Sequence, residues 1–190
     1  MKKTLIALLL LWICIPGRAQ GDCKFTTVSN TEGNEYKSTA EYLMYEKVFA
    51  GSSAFVFFSL SVTEGIPVLN FQLLHKSQDF PKAYCLDKAS RIYLQLTNGK
   101  IITLISVGQE QCASLMYDSE SKSNMRILSG MFLFGKGSME ELEKYPVTLM
   151  RVKYSTETVD YTIRKEIQSE TVSGKFFPEN YFVNYLKCIK

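Results

Sequence analysis

The sequence predicts an α+β fold, mainly antiparallel sheet, with about seven or eight hairpin-connected strands, a short helix and a C-terminal helix packed on the sheet. Three observations predict it. Apolar and polar residues alternate in short runs along most of the chain, the period of a half-buried strand. Asn98-Gly99 separates two such runs, a strong hairpin signal. Ser138-Met139-Glu140-Glu141 and Pro178 open two stretches with helix-start chemistry. A β-sandwich with a peripheral helix satisfies the same pattern and stands as the alternative.

The N-terminus is read first, because it changes the charge. Met1-Lys2-Lys3 precedes an unbroken apolar run from Leu5 to Ile15, and Pro16-Gly17-Arg18-Ala19 places small residues at −3 and −1 of a cut after Ala19. This pattern predicts a secretory signal peptide over residues 1–19 and a single globular domain over 20–190. Removing 19 of the 190 residues leaves 171, enough for one domain with a sizeable core. Lys2, Lys3 and Arg18 leave with the signal and no acid does. The 22 basic side chains fall to 19, against 19 acidic ones. A neutral chain without a basic cluster argues against a nucleic-acid partner. No later apolar run reaches the ~20 residues of a membrane span.

The elements follow in order. Phe25–Val28 reads as a short strand. Glu35–Ala50 has no clean period and favours strand. In Ala54–Thr63, Val56, Phe58, Leu60 and Val62 share one face with Ser59 and Ser61 opposite. Phe55 and Phe57 make that second face apolar at its start, so something must cover it. Ile66–Lys76 alternates Leu69, Phe71 and Leu73 with Asn70 and Gln72. Ser90–Thr97 and Lys100–Val107 form the Asn-Gly hairpin. Ser114–Asn124 reads as a polar loop, and Met125–Phe134 as a strand. A short capped helix runs from Ser138 and is stopped by Pro146. Val147–Tyr154 and Val159–Arg164 are two further strands, and a helix from Pro178 through Ile189 carries one wide apolar face.

Four cysteines remain after the signal: Cys23, Cys85, Cys112 and Cys188. An even number in an exported chain reads as two disulfides. A two-residue Asn98-Gly99 loop pairs Leu96 with Ile101, Leu94 with Thr103 and Ile92 with Ile105, and the same register sets Cys85 opposite Cys112. Cys23–Cys188 follows by elimination and ties the chain ends together. The spacings are far too wide for a zinc site. Neither Cys14 nor Cys23 follows the small-residue box of a lipoprotein.

Candidate chemistry is sparse. His75 is the only histidine, and it ends the Leu69/Phe71/Leu73 parity at the core margin with no nucleophile motif beside it. Gly130 to Gly137 nearly spells a phosphate loop, but Gly137 stands where the Ser/Thr after the lysine belongs. Asp118, Glu120 and Asn124 sketch a calcium loop, with Lys122 at a ligand position. Glu140, Glu141 and Glu143 read as helix charge, and Glu64, Asp79, Asp87 and Asp160 as turn or polar-face residues, so no carboxylate pair stands out. No cofactor and no metal is expected. Among 11 Tyr and 12 Phe, Tyr36, Tyr42, Tyr45, Tyr93 and Tyr154 are the candidates for exposed binding residues, since a tyrosine ring stacks and its hydroxyl bonds.

The Asn98-Gly99 hairpin, the Ser138-Met139-Glu140-Glu141-Leu142 helix, the Val147–Val152 strand with Arg151, and the closing Tyr185-Leu186-Lys187-Cys188-Ile189 together resemble small exported proteins of unknown function from Bacteroidetes-type bacteria. The signal peptide predicts a periplasmic or secreted location; the resemblance implies an envelope location and a sheet-rich domain, and it brings no catalytic residue or ligand. The leading expectation is an exported, non-enzymatic module that binds a protein, a glycan or a small apolar ligand. A carboxylate-based hydrolase acting on glycans is the alternative. A secreted enzyme inhibitor presenting the Ser114–Asn124 loop is the third.

Overall fold

A computed structural model describes residues 23–29 and 35–190. The expected signal peptide and its cleavage after Ala19 lie outside the described residues. In chain order the strands are β1 (Phe25–Ser29), β2 (Glu35–Thr39), β3 (Tyr42–Phe49), β4 (Ser52–Thr63), β5 (Ile66–Ser77), β6 (Cys85–Leu86), β7 (Arg91–Leu96), β8 (Ile101–Val107), β9 (Gln111–Cys112), β10 (Ser114–Asp118) and β11 (Ser123–Phe134). Helix α1 (Ser138–Leu142) follows, then β12 (Val147–Lys153), β13 (Thr158–Thr162), β14 (Ile167–Ser169) and β15 (Gly174–Phe176). Helix α2 (Tyr181–Tyr185) closes the chain between two 3-10 turns, Pro178–Asn180 and Leu186–Ile189.

Eleven strands join one antiparallel sheet, more than the seven or eight expected. The order is β1-β2-β4-β5-β11-β8-β7-β12-β13. The excess comes from interrupted strands. β2 and β3 lie end to end along the same edge of β4, broken at Ala40-Glu41. β8 and β10 share one edge of β11 in the same way.

Val56, Phe58 and Leu60 of β4, Leu69, Phe71 and Leu73 of β5, and Ile92, Leu94 and Leu96 of β7 face one core with Met150 and Val152 of β12. Tyr181, Phe182, Leu186 and Ile189 of the closing helical segment are packed into this same core. Each side chain of this size contributes about 1.5–3 kcal/mol when fully buried. The sheet is open in its hydrogen bonding but curled around the helix, because Tyr45 of β3 touches Tyr161 of β13, ring centroids 5.0 Å apart. The β14–β15 hairpin sits on the outside of β3. There Ile167 joins Leu43 and Phe55 in a second small core, with Phe57, Val172 and Phe176 against it. This hairpin is what covers the face that Phe55 and Phe57 begin.

The hairpin at Asn98-Gly99 exists in a different register. Leu96 N–H donates to Lys100 O and Gly99 N–H to Leu96 O, both at 2.9 Å, closing a three-residue loop. Gly99 takes a φ of +83°, which a side chain would resist. The pairs are therefore Gln95–Ile101, Leu94–Ile102 and Ile92–Leu104. One residue of slip turns the strand over: Ile102 and Leu104 are buried, while Ile101 is 63% exposed. The ladder shifts back by one before β9, past Gly108 at φ +106°. Cys85 then lies opposite Cys112, and the two are bonded. Cys23 and Cys188 form the second disulfide, Cα atoms 5.5 Å apart.

Two further readings are corrected. Most of Ser114–Asn124 is strand: Asp118 accepts bonds from the N–H groups of Glu120 and Ser121 and from the Ser121 hydroxyl, holding a tight turn between β10 and β11. Ser138 does not cap α1. The helix starts after Gly137, whose φ is +76°, without a side-chain cap, and Glu141 instead pairs with Lys100 and Asn98.

Candidate functional site

The break between β2 and β3 opens a cleft of about 220 Å³. Lys24, Thr39, Ala40, Glu41 and Tyr42 line one side, Tyr181 and Tyr185 the other. Its walls are well tied. Ala40 N–H donates to Lys24 O at 3.0 Å, and the Cys23–Cys188 bond holds this segment against the closing helical turn. At the break, Thr39 Oγ1 takes over as acceptor for the Leu60 N–H of β4, at 2.9 Å.

Three tyrosine rings build the floor. Tyr42 lies 5.2 Å from Tyr181 and 5.3 Å from Tyr185, and those two lie 5.4 Å apart. The Tyr42 hydroxyl accepts the Phe177 N–H at 2.6 Å. Burial pushes the Tyr42 pKa up, with that N–H opposing the shift. Tyr181 is 1% exposed. Burial raises its pKa strongly, with the Thr39 hydroxyl beside it. Its own hydroxyl nevertheless makes no hydrogen bond of normal geometry among the described residues. A buried hydroxyl in that state costs about 1–3 kcal/mol. Lys24 and Glu41 are exposed at the mouth, so the cleft offers a cation, an anion and aromatic surface.

Of the tyrosines singled out in the sequence, only Tyr42 lines the cleft among the four whose side chains are described. Tyr45 packs on the core against Tyr161. Tyr154 is 1% exposed, its hydroxyl 2.7 Å from that of Tyr161; it is a core residue, because β12 turns it inward with Met150 and Val152. Tyr93 lies opposite Thr103 and Arg151 on the other face of the sheet. Tyr36 pairs with Val28 in the β1–β2 ladder, and its side chain is outside the described set. Tyr181 and Tyr185 escaped the sequence reading because helical spacing assigns both to a core face.

The remaining motifs are structural. His75 stacks edge-on against Tyr84 at 5.5 Å, and burial lowers its pKa. Gly130 to Phe134 is the end of β11, and a Cβ on Gly130 would run into Leu86. Asp118 is bonded to Lys76 as well as to its own turn. The Ser121 hydroxyl, then Lys76, holds the Asp118 carboxyl well below its usual range. Lys100 does the same to Glu141, and Arg151 to Asp160. A general acid needs the opposite shift. Among the described residues no cluster of three or more His, Cys, Asp or Glu is placed to hold a metal ion, and no helix is long and apolar enough to cross a membrane. The chain matches no protein family, and comparison with curated proteins and with solved structures finds no match.

Proposed function

We propose that this protein is an exported, non-enzymatic binding module that takes a hydroxyl-rich ligand, a saccharide ring, in the tyrosine cleft. The observation that carries the reading is a cleft floored by three mutually packed tyrosine rings, whose mouth bears Lys24 and Glu41. A sugar supplies hydroxyls that both donate and accept, and its apolar ring face suits tyrosine. The two disulfides suit an oxidising compartment. With the signal-like N-terminus they favour periplasm or secretion. Among the described residues one carboxylate, Glu41, lines the cleft, whereas glycoside hydrolysis uses two across the scissile bond.

Thermal shift followed by calorimetric titration tests this, using the oxidised protein and a panel of mono- and oligosaccharides. A ligand at 100 times its dissociation constant adds about 2.7 kcal/mol of stability. The expected result is a saccharide that raises the melting temperature and binds about tenfold or more weakly to Tyr185→Ala, a loss of about 1.4 kcal/mol. A panel without a shift, or binding indifferent to Tyr185→Ala and to Glu41→Gln, overturns the reading.

A further inference from the structure

We propose that β10 is a homodimer interface, on which a second copy of this chain adds its own β10 antiparallel across a two-fold axis at Met116. β10 pairs with β11 on one side. On the other side the chain has already left: Ala113 N–H donates to Tyr84 O at 2.8 Å, and the β6–β9 ladder ends there. With a period of two along a strand, Leu115 and Tyr117 direct their N–H and C=O groups the same way as Ala113, away from β11. No backbone hydrogen bond from residues 114–118 to an element other than β11 occurs among the described residues.

Such an edge is normally blunted by charge, proline or a bulge. Ser114-Leu115-Met116-Tyr117 has none of these, and Leu115, Met116 and Tyr117 are 44%, 50% and 64% exposed. The strand is instead complementary to itself. Turned about Met116, Leu115 meets Tyr117 of the second copy, Ser114 meets Asp118, and Met116 meets Met116. No charge faces its like, and apolar side chains meet apolar ones on both faces. The outward-pointing residues Leu115 and Tyr117 become the doubly hydrogen-bonded pairs, as an antiparallel ladder requires. An isologous contact of this kind closes after two copies, since the β10 edge of each is then taken.

Sedimentation of the full oxidised protein across micromolar concentrations tests the proposal, with Met116→Lys beside the wild type. Dimer that dissociates on dilution is expected for the wild type, with the dissociation constant raised about tenfold or more by Met116→Lys, which sets two cations face to face. Register is tested by the pair Leu115→Lys/Tyr117→Glu, in which each introduced cation faces an introduced anion: it should dimerise where Leu115→Lys alone does not. Met116→Cys should cross-link two copies, and Ser119→Cys, equally exposed in the adjoining turn, should not. A wild type that stays monomeric overturns the proposal. So does a dimer indifferent to Met116→Lys, or equal cross-linking through both cysteines. Circular dichroism of each variant establishes that a lost dimer is not a lost fold, since all these side chains are exposed.

Discussion

Tyr45 and Tyr161 meet edge to face with ring centroids 5.0 Å apart, although their strands, β3 and β13, belong to opposite ends of the hydrogen-bonded sheet. The contact replaces the ladder that would close a barrel. Tyr161 is also held from behind, its hydroxyl 2.7 Å from that of Tyr154. Removing that hydroxyl in Tyr161→Phe keeps the ring contact and leaves the buried Tyr154 hydroxyl alone. A loss of about 1–3 kcal/mol is expected in denaturant unfolding. Tyr154→Phe/Tyr161→Phe should recover part of it, because both partners are then gone. Equal stability of Tyr161→Phe and wild type would show that the bond contributes nothing.

The alkaline limb of stability follows from the same burial. Tyr42, Tyr84, Tyr154, Tyr161 and Tyr181 all have pKa values raised above 10.0, burial being the largest cause for each. A pKa raised in the folded state means that the unfolded chain loses the proton first. The stabilisation is complete below pH 10.0 and is lost as pH rises above it. The part of the phenolate absorbance that these five contribute should therefore rise in a cooperative step that coincides with loss of the far-ultraviolet dichroism. A gradual titration of all tyrosines in folded protein would contradict the burial.

Gly130 is required by the packing of β6 over β11. A methyl group there would collide with the buried Leu86 side chain. Gly130→Ala should cost about 1–3 kcal/mol of overpacking. Combination with Leu86→Ala should restore much of the difference, a coupling that a double-mutant cycle reads directly. Additive losses would mean that Leu86 is not the obstacle.

Tyr181→Phe separates a spare hydroxyl from a structural one. Where a tyrosine hydroxyl is hydrogen-bonded in a core, its loss destabilises the protein. Here the unliganded protein should keep its melting temperature or gain a few degrees, since an unpaired buried hydroxyl disappears. A clear drop would show that the hydroxyl is already employed in the free protein.

Much of the strand pattern was legible because burial and alternation coincide. Val56, Phe58 and Leu60 point inward as their spacing requires, and Pro178 opens the closing helical segment. The register of the β7–β8 hairpin was not. Asn98-Gly99 is compatible with two-residue and three-residue loops, and the choice rests on which isoleucines the core accepts: Ile102 rather than Ile101. The disulfide Cys85–Cys112 nevertheless lies where a two-residue loop would put it, because the irregularity at Gly108 shifts the ladder back. The β10 strand was hidden by the serine-rich stretch that follows it and by the turn at Asp118. The cleft could not be read at all. Its floor joins Tyr42 to Tyr181 across 139 positions of sequence, and its identifying feature is the meeting of three tyrosine rings from two distant segments, which no local residue pattern encodes.

The bond between Cys23 and Cys188 has a mechanical consequence. It brings two Cα atoms 165 positions apart in sequence to within 5.5 Å. A pull applied across those two points is carried by one covalent link, and the hydrogen-bonded ladders between them feel none of it. In single-molecule stretching the oxidised protein should therefore show no extension from its 164 intervening residues. Reduction should release that whole length.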